Sequence, residues 1–356
     1  MPMYRIATIP GDGIGVDVTI EAVKVLDAVL PGIAWTEFDW SCEQYLRTGA
    51  MMPADGPEQL AAFDAILLGA VGFPGVADHI SLWGLLIPLR RAFAQYVNLR
   101  PVRLLPGTVS ALRDRTAADL DILIVRENSE GEYSEIGGTH NPGRPDEFVV
   151  QESIFTRTGC ERIIRYAFEQ ARRRGGKLCS ATKSNGLIHS MPYWDSVFDR
   201  IAAEYPEVET RQMHVDALAA EIVLHPDRLD VIVGSNLFGD ILSDLAAAVT
   251  GGLGLAPSGN INPAGESPSM FEAVHGSAPD IAGQGIADPV AQILAGAMML
   301  EHLGEGAAAA AVDRAVCEVL AEGVTLTPDL GGTATTAELG SAIADRAAKL
   351  VADRAG

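Results

Sequence analysis

Four cysteines, Cys42, Cys160, Cys179 and Cys317, are scattered through the chain, and no two stand at a CxxC or other zinc-type spacing. That scarcity argues against a cysteine-built metal centre and predicts reduced thiols in a cytoplasmic protein. Positive charge is also in short supply: 26 lysines and arginines face 47 aspartates and glutamates, a formal net charge of -21. Nucleic acid and anionic membrane surfaces require clustered cations, so neither is an expected partner. An anionic small molecule is still allowed if a few arginines gather in one pocket. Long apolar runs are missing as well. Hydrophobic residues make up 48% of the chain, yet Gly, Pro or a charge breaks each stretch within about a dozen residues, too short to cross a bilayer. The opening MPMYRIATIPGDG has no basic region followed by an apolar one. It reads as a strand entering a loop and not as a secretory signal.

What is present is enough chain for two lobes: 356 residues exceed the size at which a single core usually stops growing. Short β-type runs at 4–9, 65–71, 121–127 and 230–236 alternate with stretches of helical period, which predicts an α/β fold with a largely parallel core. In the first helical stretch Val18, Ala22, Val25, Leu26 and Val29 share one face. Residues 289–303 are apolar nearly all round, as in a helix buried in a core or at a subunit interface. Residues 130–152 are rich in Gly, Asn, Pro and charge, which predicts an exposed arm or hairpin; the similar segment 251–267 reads as a loop between lobes. Gly11, Gly13 and Gly15 follow a strand and precede a helix, but Val16 stands where a dinucleotide fingerprint needs its third glycine, three positions after the second. A Rossmann domain is therefore not expected, although Asp39 is available as the acid such a domain uses.

Chemistry concentrates in a few places. Asp240 and Asp244, four apart in NLFGDILSDLAAAV, fall on one helix face. Such a pair is either solvated surface charge or, beside a buried strand, a seat for a hard divalent cation. Asp216 opens another helical run and can complete the ligand set. Arg90, placed early in a helix, Arg100 on an extended segment before Pro101, and Arg126 at a strand end are three planar forks that can hold a dicarboxylate. Lys183, after a strand, and Tyr133 are the candidates for proton transfer, with proton affinity lowered by a cation and arginines nearby.

Taken together, PGDGIG, LRRAFAQYVNLRPVR, VRENSEGEY, TKSN, VDALA, SNLFGDILSDL and MFEAVHGSAPDIAGQGIADP resemble the β-decarboxylating 2-hydroxyacid dehydrogenases, in order and over nearly the whole chain. The resemblance implies that family's two-lobed α/β fold, isocitrate/isopropylmalate dehydrogenase-like and not Rossmann. One lobe would comprise 1–98 and 252–356, and the other 99–251, with a dimerisation arm at about 134–152. By the same resemblance Arg90, Arg100 and Arg126 match the substrate-binding arginines, Tyr133 the proton donor, Lys183 the base, and Asp216, Asp240 and Asp244 the metal ligands. The implied cofactors are NAD and Mg²⁺ or Mn²⁺, with K⁺ as an optional accessory ion. Ile14, Asn185, Glu272, His275, Gly276, Ser277, Ala278, Asp280 and Asp288 match the cofactor contacts. Asp280 would favour NAD over NADP, while Asp288 departs from the family's usual Asn.

Lys183 and Asp216 are implied to reach across a homodimer, so that active sites are shared between subunits. Ahead of Arg90, Trp83 and Leu86 in DHISLWGLLIPLRR resemble the tartrate/D-malate dehydrogenases within the family. Trp83 is either a wall that shrinks the substrate pocket or core packing. The substrate expected is D-malate or tartrate; 3-isopropylmalate dehydrogenase is the alternative, and a non-catalytic paralogue the remote one.

Overall fold

The computed structural model describes residues 3–355. Its strands are β1 (Tyr4–Gly11), β2 (Ile33–Glu37), β3 (Ala65–Ala70), β4 (Val97–Arg103), β5 (Asp121–Glu127), β6 (Gly137–His140), β7 (Phe148–Gln151), β8 (Lys177–Thr182), β9 (Glu209–His214), β10 (Val231–Gly234), β11 (Pro257–Ile261) and β12 (Ser269–Ala273). Ten of them form one sheet in the order β2-β1-β3-β12-β11-β4-β5-β10-β8-β9, while β6 and β7 pair separately as a hairpin. β2, β1, β3 and β12 are mutually parallel, as are β5, β10, β8 and β9. Between these blocks β11 and β4 are antiparallel to every neighbour, so strand direction reverses at the centre. The alternation of β and α segments is what a mostly parallel sheet requires, because parallel neighbours need crossovers.

Helices cover the sheet. In the helix Ile14–Val29 the predicted stripe Val18, Ala22, Val25, Leu26 and Val29 is buried. The helix Val290–His302 packs against it and against the sheet, and is buried on nearly every side within this one chain. Its apolar circumference is thereby accounted for by the core. The hairpin stands exposed, as its composition predicts.

Two expectations need correction. The segment 251–267 is not simply a loop: its middle is β11, a buried central strand. Pro257, Gly259 and Asn260 are poor strand formers, but here two flanking strands and polar partners for the side chains override local propensity. Arg90 does not sit early in its helix. Helical backbone runs from Asp78 to Ala92, with a π-turn at Leu82–Leu86, and Arg90 lies in the last turn. Pro88, which lacks an N–H, follows the π-turn, a usual site for such irregularity. Among the described residues, no helix is long and apolar enough to cross a membrane.

Candidate active site

The side chains of Asn98 and Arg100, two apart on β4, emerge on the same face of the sheet. The antiparallel register sets Asn98 opposite Arg126 on β5. The helix Asn236–Val249 lies over β5, and Gly239 permits its close approach: a Cβ there would fall 2.6 Å from the Cβ of Arg126. Asp240, the next residue, is thereby delivered to the arginines. Its Oδ1 accepts from Arg126 at 2.5 Å and lies 3.2 Å from Arg100, while its Oδ2 accepts from the Tyr133 hydroxyl at 3.0 Å. One helical turn on, Asp244 lies 3.3 Å from Arg100, and between them Ser243 accepts from Arg100 at 2.6 Å. Arg90, buried, pairs with Glu272 at 3.0 Å. Leu86, Arg90, Arg100, Glu272, His275 and Gly276 line a cavity of about 180 Å³.

Three guanidiniums in so small a volume repel. Burial and the neighbouring Arg100 push Arg126 down to about 9, against the pull of Asp240. It still carries its charge at neutral pH. Burial alone would raise Asp240, but Arg126, Arg100 and the Tyr133 hydrogen bond outweigh it and hold the carboxyl below its ordinary range. Asp244 is shifted upward, by burial and by Asp240, against Arg100. Tyr133 departs from expectation. Its proton affinity rises, because burial and Asp240 outweigh Arg126 and Arg100.

The remaining residues fall into separate groups. Lys183 and Asp216 leave the ends of β8 and β9, at the far edge of the sheet, and bind each other at 2.5 Å. Lys183 and Asn185 share the turn after β8, with Asn185 exposed. Among the described residues no three His, Cys, Asp or Glu side chains gather as a metal site would require. Asp240 and Asp244 supply two hard oxygen donors on one face, which suits a divalent cation, and leave a third carboxylate to come from elsewhere.

Around the glycine turn, Ile14 donates its backbone N–H to Ser277 O at 2.8 Å and packs against Ala278. Gly13 sits at φ +58°, and a Cβ there would meet Ser277 O at 2.1 Å, so only glycine fits. Burial lowers the proton affinity of His275, whose Nδ1 faces Gly276 O and whose buried Nε2 has no partner. Asp280 is exposed. Asp288 is buried: Oδ1 accepts from Val290 N at 2.8 Å and Oδ2 has no partner. Asp39, the acid available to a Rossmann reading, is engaged by Arg47 at 2.5 Å. Trp83 is not part of the packed core; its ring lies under the Arg91 guanidinium, 5.2 Å from the ring centroid.

Sequence reasoning passed over several partners of the arginines: Asn98, Ser243 and Asn236, the last accepting from Arg126 through its amide at 2.7 Å. The available signal was polar residues inside otherwise apolar strands and helices.

The model of the isocitrate/isopropylmalate dehydrogenase family matches residues 5–343. The chain is 53% identical to the D-malate dehydrogenase [decarboxylating] of Escherichia coli, covering 96% of this chain and 98% of that protein. It is 52% identical to the tartrate dehydrogenase/decarboxylase of Pseudomonas putida, covering 98% of each. A crystal structure of isocitrate dehydrogenase from Methylococcus capsulatus superposes with a TM-score of 0.88 at 39% identity, over 97% of this chain and 99% of that one. With a match spanning almost every element that builds the sheet and the arginine cluster, this chain belongs to the isocitrate/isopropylmalate dehydrogenase family.

Proposed function

We propose that the chain oxidises and decarboxylates a small 2-hydroxy dicarboxylate, D-malate or tartrate, using NAD and a divalent cation, Mg²⁺ or Mn²⁺. The observation that carries this reading is the buried convergence of Arg100 and Arg126 on Asp240, which also takes the Tyr133 hydroxyl, with Arg90 held by Glu272 at the same cavity, in a chain about half identical to relatives named for those two substrates. Arg90, Arg100 and Arg126 bind and orient the substrate carboxylates, with Leu86 and Trp83 setting the room left at C3. Lys183 accepts the hydroxyl proton. Tyr133 Oη, whose raised affinity keeps it protonated through the neutral range, holds the proton that C3 takes once its carboxylate has left. Asp240 and Asp244, with Asp216, hold the cation; when bound it supplies the electrophile that acidifies the hydroxyl and polarises the resulting carbonyl, as the nicotinamide supplies the hydride acceptor. Ile14, Asn185, Glu272, the 275–278 loop, Asp280 and Asp288 form the NAD seat.

Because Lys183 and Asp216 stand apart from the arginines, the working unit is a homodimer in which each chain lends this pair to its partner's site. Exposed Ile136, Phe148 and Val149 on and beside the hairpin, Leu187 and Ile188 beside Lys183, and Ile241 beside Asp240 form apolar surface that a second copy covers. On this reading the chain divides into lobes of 1–98 with 252–356, and 99–251. A substrate panel tests the activity: D-malate, tartrate, isocitrate and 3-isopropylmalate with Mn²⁺ and NAD or NADP, following reduced nicotinamide by absorbance. D-malate or tartrate with NAD should give the highest kcat/KM; a higher value for 3-isopropylmalate or isocitrate overturns the substrate assignment, and preference for NADP overturns the cofactor's.

A further inference from the structure

Beneath the arginines lie three buried asparagines, Asn98 on β4, Asn128 just after β5, and Asn260 on β11. Asn98 Oδ1 accepts from Arg100 Nε at 2.7 Å, and its amide donates to Asn260 Oδ1 at 3.0 Å and to Ser258 Oγ at 2.9 Å. Asn128 donates to the same Asn260 oxygen at 2.9 Å and to Gln95 O at 2.9 Å. Asn260 Nδ2 in turn donates to Glu272 Oε1 at 2.7 Å, the oxygen that also receives Arg90 at 3.0 Å. One amide thus joins two otherwise separate arrangements, Arg100 on β4 and the Arg90–Glu272 pair. The orientation of that amide is dictated by its surroundings. Flipped, its NH₂ would face two other NH₂ groups and its oxygen would face a carboxylate.

We propose that Asn260 is a positioning residue that fixes the two arginines relative to each other, so that they grip a short dicarboxylate as a single clamp. This deepens the functional reading above and rests on it. The chemistry calls for an amide here. A carboxylate would face Glu272 with like charge, a serine hydroxyl is too short to reach both sides, and an apolar side chain would strand the buried amides of Asn98 and Asn128 without an acceptor. The place of the network in the sheet adds to the case. β11 and β4 are the strands at which direction reverses, and the chain passes between the two parallel blocks there, so a fastening at this point holds groups contributed by both.

Steady-state kinetics of Asn260→Ser and Asn260→Asp test the proposal, with D-malate and tartrate as substrates. The KM for the hydroxy dicarboxylate should rise about tenfold or more, as expected for loss of aim in charge-assisted contacts. The KM for NAD should rise by a smaller factor, because Asn260 reaches the NAD seat only through Glu272. A residue needed only for folding would instead lower kcat and the melting temperature together and leave both KM values in place. That outcome, or an unchanged dicarboxylate KM, overturns the proposal. If Asn260→Ser fails to give a cooperative melt, Asn128→Ser removes one of the two donors to Asn260 and carries the same contrast, and an unchanged dicarboxylate KM there overturns it equally. Wild-type chain that turns over neither substrate refutes the functional reading, and this one with it, whereas active wild type with an indifferent Asn260 refutes only this one.

Discussion

Asp288 shows how a single atom can be costly. It is 6% exposed, and burial, with Asp329 nearby, pushes its carboxyl well above the usual range. In the unfolded chain the group ionises near its ordinary value of 3.8, while in the folded chain it holds its proton to higher pH. Stability contributed by the protonated form is therefore present at low pH and is lost as pH rises toward the raised value. Asn in its place keeps the oxygen that accepts from Val290 and supplies a neutral NH₂ where Oδ2 now has no partner. Asp288→Asn should melt higher than the parent at about pH 8, by a margin corresponding to ~1–3 kcal/mol, and the margin should shrink toward pH ~4. Melting curves across that range check it, and a margin that grows with acidification would refute it. On the proposed reading Asp288 belongs to the NAD seat, so the change should also lower the KM for NAD. Tyr133 teaches a related lesson. Its neighbours were readable in outline, but the sign of its shift depends on how deeply the ring is buried and on its hydroxyl bonding Asp240 directly, neither of which is written in one dimension.

At the scale of elements, Gly239 decides how near the helix Asn236–Val249 comes to β5. Gly239→Ala sets a methyl against Arg126 and should destabilise the fold by ~1–3 kcal/mol, the range for overpacking a filled interior. It should also raise the KM for D-malate, since Arg126 and Asp240 move apart; a variant with parental Tm and KM would contradict the packing described. Much at this scale was legible beforehand. The periodic stripe of Ile14–Val29, the apolar runs of β1, β3, β5 and β10, and the exposed hairpin announce themselves because burial imposes a period on the sequence. So does the placement of Asp240 and Asp244 on one helix face. β11 was not legible, because its pairing is long-range: Asn98 and Asn260 are 162 positions apart, and a strand built of Pro, Gly and Asn gives no local signal. Arg90 was misplaced within its helix for a similar reason, a π-turn having no sequence period of its own.

For the molecule as a whole, the main consequence is incompleteness. Lys183 and Asp216 occupy one region and the arginines with Asp240 another, and the proposed homodimer with shared sites predicts complementation. Lys183→Ala and Asp240→Asn chains should each be inactive alone. When they are unfolded and refolded together in equal amounts, half of the dimers pair one of each and carry one intact site of two, restoring about a quarter of wild-type activity. No recovery, with mixed dimers demonstrated by differently tagged chains, would contradict the shared site. The strongly acidic exterior is compatible with an anionic substrate, since the attracting charge is confined to a buried cluster and does not depend on the surface at large.

Asp240 has one more implication. Its carboxylate pairs with Arg126 and Arg100, two of the forks proposed to hold the substrate. A carboxylate bound there competes with a tethered rival, because Asp240, Asp244 and Glu272 are matched against the three guanidiniums. On the proposed reading a cation that engages Asp240 would free both forks, so the dicarboxylate should bind more tightly with Mn²⁺ present than without it.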